Sequence, residues 1–202
     1  MFSTVRLILG CVFLGFSTAI IKKSKTSYKH ALYFVFTIIT ALLIFILAFF
    51  PFENLFMSFN SPEEAYEYFN FGESNIVLVV EGNYCDFVVD RKNDSTDSHL
   101  IIPKTEDGWK IGVGINTKKI AQKHYNGITA IVYQYKNSSD YFITIIDSTE
   151  GESMITDDYN TSFYSLERNI NSINEPLIVY YAYIPNFNSN YTVTVRGNQI
   201  SF

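Results

Sequence analysis

Cys85, His99 and His124 are candidates for nucleophilic catalysis beyond the first 50 residues. A thiol becomes a strong nucleophile when a histidine within hydrogen-bonding distance takes its proton. Cys85, however, lies in a strand-like run between Tyr84 and Asp86, where a small buried thiol is common. We therefore expect a structural cysteine and two ordinary histidines, with no catalytic or metal-binding role for either histidine.

The acidic stretch 90–97 could hold calcium through Asp90, Asp94 and Asp97. Calcium binds about six to eight oxygen atoms, commonly from alternating positions around a glycine turn. The three acids do not alternate, the stretch has no glycine, and two basic residues interrupt it. We expect a solvated hairpin tip without a metal ion.

Sequence signatures of common enzymes are missing from the chain. It contains no P-loop, no dinucleotide-binding glycine pattern, no zinc-type spacing of Cys and His, and no Gly-x-Ser-x-Gly turn. Two carboxylates could still act as acid and base in glycoside hydrolysis, but nothing in the sequence singles out a pair. We therefore expect no catalytic residue and no cofactor.

Residues 117–125 form a basic segment in an otherwise acidic region. Asn116 precedes the segment as a candidate cap and Asn126-Gly127 follows as a stop, so the sequence predicts a short helix. A basic helix face could contact the membrane surface or an anionic envelope polymer, and a solvated polar face is the alternative interpretation. The basic side chains are Lys118, Lys119, Lys123 and His124.

Aromatic side chains are the second candidate for binding. Thirteen of the 15 tyrosines and the single tryptophan, Trp109, follow the first 50 residues. Exposed rings could stack on sugars or on a partner protein, and we keep Trp109 as a candidate binding residue. Five tyrosines lie in strand-like runs, where aromatic residues are ordinary packing residues. These are Tyr133, Tyr135, Tyr180, Tyr181 and Tyr183.

The first 50 residues differ from the rest in charge and hydropathy. They contain five basic residues and no acidic one, and they include two apolar runs, 7–21 and 31–50. Roughly 20 apolar helical residues cross a bilayer core of about 30 Å, and Pro51 ends the second run. The pattern predicts a transmembrane hairpin over residues 1–50, with helices at about 4–21 and 31–50. A cleaved signal peptide is the alternative for the first run, but no small-residue cleavage site follows it.

The connector between the runs, residues 22–30, contains four lysines. Short lysine-rich loops remain on the cytoplasmic side, so we expect a multi-pass plasma-membrane protein whose amino terminus and carboxy-terminal domain are extracytoplasmic. Of the 15 basic residues in the chain, ten follow the first 50 residues, against 20 acidic ones, which gives this part a net charge of −10. The charge excludes nucleic acid as an expected partner, because the phosphate backbone binds clustered positive charge.

After the hairpin, the sequence predicts a short juxtamembrane stalk at 51–60 and a folded domain at 61–202. Ser61 before Pro62, with Glu64 three positions after the serine, predicts the start of a helix. Beyond Ser74, β-rich runs separated by tight turns predict antiparallel strands. The predicted strands are 76–80, 84–90, 99–102, 108–115, 128–135, 141–147, 177–184, 191–195 and 199–200.

We therefore expect a membrane-anchored α+β protein, whose extracytoplasmic domain is a mainly antiparallel β-sheet with one or two short helices. A β-sandwich is the alternative. We assign no structure to residues 157–175, where neither a helical nor a strand period is clear.

The order of these features resembles a family of small two-helix membrane proteins of Firmicutes. The segments that carry the resemblance are 51–54 (Pro-Phe-Glu-Asn), 61–66 (Ser-Pro-Glu-Glu-Ala-Tyr), 108–111 (Gly-Trp-Lys-Ile) and 181–183 (Tyr-Ala-Tyr). The family has no assigned activity. The resemblance therefore implies a bacterial plasma-membrane location and no site residue.

Together, these features favour a membrane-anchored extracytoplasmic binding or interaction module that is not an enzyme. Its expected partners are the lipid bilayer and either an envelope polymer or a membrane protein. One alternative is a membrane-tethered envelope hydrolase that uses Asp and Glu side chains as acid and base. Another is an accessory subunit of a transport or sensing complex.

Overall fold

The structure, a computed structural model, describes residues 2–23, 28–70, 74–93, 96–113, 116–148, 151–168 and 177–202. Two long helices, α1 (Phe2–Lys23) and α2 (Lys29–Phe49), begin the chain and pack against each other. Part of the predicted connector, residues 24–27, lies outside the described residues. Among the residues that the structure describes, no helix combines the length and apolar character needed to cross a membrane.

Most of the large apolar side chains described on α1 and α2 point away from the protein. Among the residues of the two helices whose burial the structure describes, the buried ones are Gly10, Ser17, Ile21 and Thr40, of which only Ile21 is large and apolar. The hydroxyls of Ser17 and Thr40 donate to the backbone carbonyl four residues earlier, at 2.8 and 2.7 Å. The exposed side chains include Ile8, Leu9, Val12, Leu14, Phe16, Ile20, Phe34, Val35, Ile38, Ile39, Leu42, Phe45 and Ile46.

The predicted stalk is hydrogen-bonded to the β-domain. A 3₁₀ turn covers Phe52–Leu55, and within it Asn54 both donates to the carbonyl of Ile111 (3.0 Å) and accepts from its backbone N–H (2.8 Å). Phe59 and Trp109 exchange two backbone hydrogen bonds, at 2.9 and 3.0 Å. The stalk is therefore attached to the domain along its length.

Helix α3 (Pro62–Phe69) confirms the predicted helix and its start. The Ser61 hydroxyl accepts a hydrogen bond from the backbone N–H of Glu64 (3.2 Å), and the Glu64 carboxylate accepts one from the N–H of Asn60 (3.0 Å). This reciprocal capping satisfies backbone donors that have no partner within the first turn.

Within the described residues, twelve strands form three antiparallel sheets, so the predicted mainly antiparallel architecture is confirmed. The first sheet has the order β1-β2-β3-β4, the central sheet β5-β6-β7-β10-β9 and the terminal sheet β12-β11-β8. The strands are β1 (Ile76–Val80), β2 (Cys85–Asn93), β3 (Thr96–Thr105), β4 (Gly108–Trp109), β5 (Thr117–Tyr125), β6 (Ile128–Tyr135), β7 (Tyr141–Asp147), β8 (Ile155–Asp157), β9 (Tyr164–Arg168), β10 (Leu177–Ile184), β11 (Thr192–Val195) and β12 (Asn198–Ser201).

The middle strands of the central sheet, β6, β7 and β10, bury side chains on both faces, whereas the edge strands β5 and β9 are largely exposed. On β10, Tyr180 and Ala182 belong to the apolar cluster shared with the terminal sheet, whereas Val179 and Tyr181 belong to the cluster shared with the first sheet. The outer face of the first sheet packs against α3, through Tyr66 among others. The layers therefore follow the order α3, first sheet, central sheet and terminal sheet. Both faces of β10 pack against other layers. Its continuous apolar and aromatic sequence, which does not alternate with polar residues, fits this position.

The predicted helix at 117–125 is wrong, because this segment is strand β5. Tyr125 pairs with Ile128, and the two residues between them, Asn126 and Gly127, have φ angles of 47° and 77°. Asn-Gly with positive φ at both positions makes a two-residue turn whose twist matches that of paired strands. The Asn-Gly pair thus turns a β-hairpin here and does not end a helix.

Two other predictions need adjustment. The strand predicted at 108–115 covers only Gly108–Trp109, and residues 114–115 lie outside the described residues. The unassigned segment 157–175 contains strand β9, with β8 ending at its first residue, while residues 169–175 lie outside the described residues. The other predicted strands are present, and 128–135, 141–147 and 177–184 match β6, β7 and β10 to the residue.

Asp90 and Asp97 do not form the expected solvated tip. Asp90 is buried, and its carboxylate accepts hydrogen bonds from the Tyr66 hydroxyl (3.0 Å) and the Asn75 backbone N–H (2.6 Å) and pairs with Lys92. Burial alone would raise the pKa of Asp90, but these three partners lower it below the usual range. Asp94, the third predicted calcium ligand, lies outside the described residues.

Replacing Asp90 with Asn should lower the free energy of unfolding by about 1–3 kcal/mol at pH 7, because a buried charged acceptor is lost. The folded-state pKa of Asp90 is lowered, so its contribution is present above the unfolded pKa near ~4 and lost as pH falls through the folded pKa. The variant should therefore show a shallower loss of stability in acid. Denaturant unfolding of the full chain from pH 7 to pH 3 measures both effects.

The exposed Asp107→Asn variant is the matched control and should behave like the wild type. An Asp90→Asn variant whose stability follows the wild-type pH profile would contradict the role assigned to this carboxylate.

Candidate ligand groove and basic edge strand

The predicted basic patch lies on strand β5, at the edge of the central sheet. Its four side chains, Lys118, Lys119, Lys123 and His124, are all exposed. Successive residues of a strand point to opposite faces of the sheet, so Lys118 and Lys119 diverge, as do Lys123 and His124. The structure therefore brings these residues onto one strand but not onto one face.

The basic side chains of β5 are bonded to neighbouring polar groups. Lys118 donates to Asn137 (3.3 Å), Lys119 donates to Gln122 (2.7 Å), and the His124 ring lies 2.9 Å from the Thr129 hydroxyl. Among the described strands, β5 pairs with β6 alone, so its other edge is open. Lysines on an open edge disfavour pairing with a second molecule. We interpret these residues as edge protection.

Trp109, the fifth candidate, lies on β4 of the first sheet and has a structural role. Its indole N–H donates to the Asp86 carboxylate at 2.5 Å, and the Lys104 ammonium lies 5.1 Å from its ring centroid. Burial raises the pKa of Asp86, and the hydrogen bond from Trp109 opposes this shift by stabilising the charged form. Trp109 thus connects the stalk, at Phe59, to a buried carboxylate.

A groove of about 490 Å³ lies where the end of β1 approaches β9 and the end of β10. Its volume is within the range of about 300–1,000 Å³ that is typical of small-molecule sites. Its lining includes Tyr159, Tyr164 and Tyr183 together with the polar side chains of Glu81, Thr161 and Ser162. We call it the tyrosine groove.

Tyr183 is fixed in the groove by a buried carboxylate. Its hydroxyl donates to Asp140 (3.0 Å) and accepts from the Asn83 side chain (2.8 Å). The same carboxylate accepts from the backbone N–H groups of Tyr84 (2.5 Å) and Cys85 (2.9 Å), which holds the turn between β1 and β2. Burial raises the pKa of Tyr183 to about 12, so its hydroxyl stays protonated at neutral pH.

Tyr159 is also held at both its hydroxyl and its ring. The hydroxyl donates to the carbonyl of Asn186 (2.7 Å) and accepts from the Asn188 side chain (3.2 Å). The ring stacks on Tyr191, with centroids 5.8 Å apart and an interplanar angle of 15°. A ring fixed in this way loses little conformational entropy when a ligand packs on it.

Asp157 orders the loop that forms one wall of the groove. Its carboxylate accepts hydrogen bonds from the backbone N–H of Thr161 (2.8 Å), the Thr161 hydroxyl (2.5 Å) and the Tyr191 hydroxyl (2.9 Å). Burial, followed by the nearby charge of Asp157, raises the pKa of Tyr191. The groove wall is therefore a pre-formed turn.

Cys85 is buried, as expected, and contacts no histidine that the structure describes. Its sulfur lies 3.5 Å from the Asp140 carboxylate and 4.0 Å from the Ser138 hydroxyl. Burial and the charge of Asp140 raise the pKa of the thiol, so it is protonated at neutral pH and a poor nucleophile. His99 lies against the rings of Phe87 (5.0 Å) and Tyr133 (4.6 Å) and keeps an exposed surface; desolvation by its surroundings, followed by the charge of Arg168, lowers its pKa.

A smaller cavity of about 200 Å³ is lined by polar residues that include Ser153 and Tyr180. The Ser153 hydroxyl donates to the buried Asp147 carboxylate, and Arg196 Nε lies 3.0 Å from that carboxylate and 2.7 Å from the serine oxygen. A serine that donates to a carboxylate paired with arginine is a structural bridge between β7 and the terminal sheet. Across the described residues, no three His, Cys, Asp or Glu side chains converge as a metal site.

The tyrosine groove was missed by sequence reasoning. Tyr159, Thr161, Ser162 and Tyr164 lie in the segment that received no assignment, and Tyr183 was interpreted as a packing residue. The usable signal is Asp157 followed four residues later by Thr161, since Asp and Thr side chains bond to nearby backbone groups in turns. The sequence does not show that this turn meets the end of β1, more than 70 residues earlier.

Comparison of the chain with protein-family models, with curated proteins and with solved structures finds no match in any of the three.

Replacing Lys118, Lys119 and Lys123 together with Thr should cause self-association of the full chain. Threonine favours strands, and the substitutions expose an uncharged edge for pairing with a second copy. Light scattering over a protein concentration series in detergent measures the effect. The net charge changes from −5 to −8, which by itself would oppose association.

The matched control replaces the same three lysines with Glu, which keeps charge on the edge and should leave the wild-type oligomeric state unchanged. If the threonine variant matches the wild type at every concentration, β5 is not an edge protected by its lysines.

Proposed function

We propose that this protein is a membrane-anchored extracytoplasmic binding module of a bacterial cell, with α1 and α2 as its anchor and the tyrosine groove as its ligand site. The observation that carries the proposal is the inverted distribution of side chains on α1 and α2. Most large apolar side chains described on these helices face outward, whereas three of the four residues described as buried, Gly10, Ser17 and Thr40, are small or hydroxylated, and the fourth is Ile21.

This distribution is the reverse of that on helices of a water-soluble protein. Phe16 and Phe34 are each 69% exposed, and they belong to a larger set of exposed apolar side chains on the two helices. Contact between many apolar side chains and water is unfavourable in free energy. In lipid, helices pack through small residues that allow close approach, and hydroxyl side chains bond to their own helix. Gly10, Ser17 and Thr40 fit this pattern.

The charge distribution supports the orientation. Lys22 and Lys23 end α1, Lys29 begins α2, and acidic residues occur only after Phe50. Lysines at the connector favour its retention in the cytoplasm, which places the domain outside. The resemblance of the chain to two-helix membrane proteins of Firmicutes supports the same location.

The stalk supports a domain held close to the lipid. Leu55 and Phe56 are 78% and 69% exposed, although the turn that contains Leu55 is bonded to the domain through Asn54. Apolar and aromatic side chains at this position suit the membrane–water interface. The stalk therefore limits the range of positions that the groove can take above the membrane.

Binding, rather than catalysis, is the function that the polar side chains favour. The carboxylates of Asp86, Asp90, Asp140, Asp147 and Asp157 each accept hydrogen bonds from backbone N–H, hydroxyl, indole or guanidinium groups that hold turns and strands. Glu81 is the acid that lines the groove. Among the lining residues that the structure describes, the groove thus offers rings and hydrogen-bonding groups and no facing pair of acids for hydrolysis.

A pair of cysteine variants tests anchoring and orientation in a Cys11→Ala background. Met154→Cys places a thiol at an 80% exposed position of the domain, and Lys23→Cys places one at the connector end of α1. Cys85 is fully buried and should stay silent under native conditions. We expect a membrane-impermeant maleimide to label Met154→Cys in intact cells and Lys23→Cys only after lysis.

Alkaline carbonate washing of the membranes is the companion measurement, and the chain should stay in the pellet. Labelling of Lys23→Cys but not Met154→Cys in intact cells would overturn the orientation. Release of the chain by carbonate would overturn the anchor.

A further inference from the structure

We propose that the tyrosine groove binds an uncharged carbohydrate chain. This inference deepens the proposed function by naming the ligand class, and it rests on the groove being the ligand site.

Two tyrosine rings in the groove are exposed to a ligand. Tyr164 on β9 is 50% exposed and Tyr159 is 38% exposed, so both rings offer surface to a ligand in the groove. The aliphatic C–H groups on one side of a sugar ring carry slight positive charge, and they pack well against the negative face of an aromatic ring. Tyr159 and Tyr183 are fixed by hydrogen bonds to their hydroxyls, so little ordering is required on binding.

The polar side chains of the lining can form hydrogen bonds with sugar hydroxyls. Glu81 and Ser162 are exposed at the groove, and Thr161 lines it from the loop that Asp157 orders. A carboxylate accepts hydrogen bonds, and a hydroxyl both donates and accepts them. Sugar hydroxyls need such partners when they leave water, because an unpaired buried polar group is costly.

The negative charge of the groove and of the domain disfavours an anionic ligand. The lining of the groove has no Lys, Arg or His among its described residues, and it contains the carboxylate of Glu81. The part of the chain after Phe50 has a net charge of −10. An anionic polymer, such as one built on phosphodiesters, would be repelled, so an uncharged sugar is favoured over the anionic polymers of an envelope.

An extended peptide is the competing ligand, since the groove lies beside the edge strands β1 and β9. A peptide that adds to a sheet edge is held by backbone hydrogen bonds, and alternate side chains enter pockets. The groove offers ring faces and hydroxyl-bonding groups at its surface, which suit sugar rings better than peptide side chains.

Isothermal titration calorimetry of the full chain in nanodiscs tests the inference. The probes are hexamers of N-acetylglucosamine and of glucose, with polyglycerol phosphate as the anionic arm and an uncharged extended decapeptide as the peptide arm. We expect at least one sugar hexamer to bind with a Kd below about 1 mM and neither of the other two probes to bind.

Tyr164→Ala should weaken sugar binding about tenfold, because the variant loses the exposed ring on which the sugar packs; this factor corresponds to about 1.4 kcal/mol. Tyr164→Phe keeps the ring and should bind within about twofold of the wild type. Tyr125→Ala is the matched control, because Tyr125 is also 50% exposed on an edge strand but lies outside the groove, and it should not change the Kd.

Absence of binding by both sugars, or equal binding by wild type and Tyr164→Ala, would overturn the inference. Binding of the decapeptide that depends on Tyr164 would also overturn it, but would leave the binding module in place. Failure of the anchor is seen separately in the carbonate and labelling experiments, so the two proposals can fail independently.

Discussion

The burial of the middle strands of the central sheet on both faces is the constraint on which the rest of the structure depends. Strands β6, β7 and β10 contribute buried apolar side chains to both clusters, so their burial requires that the first and terminal sheets cover them. Fully burying a large apolar side chain contributes about 1.5–3 kcal/mol, and these strands bury many. The layers align the end of β1 with β9 and the end of β10, and this alignment creates the tyrosine groove.

Buried aspartates make this layered packing specific. Asp86, Asp90 and Asp140 are buried, and each accepts hydrogen bonds from a backbone N–H group and from a tryptophan or tyrosine side chain. Asp147 is buried and is bonded to Ser153 and Arg196. Asp140 joins the β1–β2 turn to Tyr183, and the half-buried Asp157 joins the loop before β9 to Tyr191. Removal of a partner of a buried aspartate would leave its charge without compensation. Tyr183 and the loop wall of the groove are held in place by these hydrogen bonds.

The sequence predicts local features well where one physical signal dominates. Ser61 and Pro62 predict α3, and the β-rich runs at β6, β7 and β10 predict those strands to the residue. The signal at 117–125 was ambiguous, because Asn-Gly can end a helix or turn a hairpin, and pairing with β6 decides between them. The groove joins Glu81 to Tyr159, Tyr164 and Tyr183, a long-range contact without a local signal. The residue types of Trp109 and the β5 lysines made them candidates for binding in the sequence. Their contacts in the structure give them structural roles instead.

The central claim is that α1 and α2 lie in lipid with their large apolar side chains outward. Spin labels placed singly at Phe34, Leu42 and Met154 of the full chain in bilayers test it through collisions with oxygen, which enters lipid, and with a nickel chelate, which stays in water. We predict that labels at Phe34 and Leu42 are relaxed by oxygen and shielded from nickel, whereas the label at Met154 is relaxed by nickel. Strong relaxation by nickel at Phe34 and Leu42 would contradict the account.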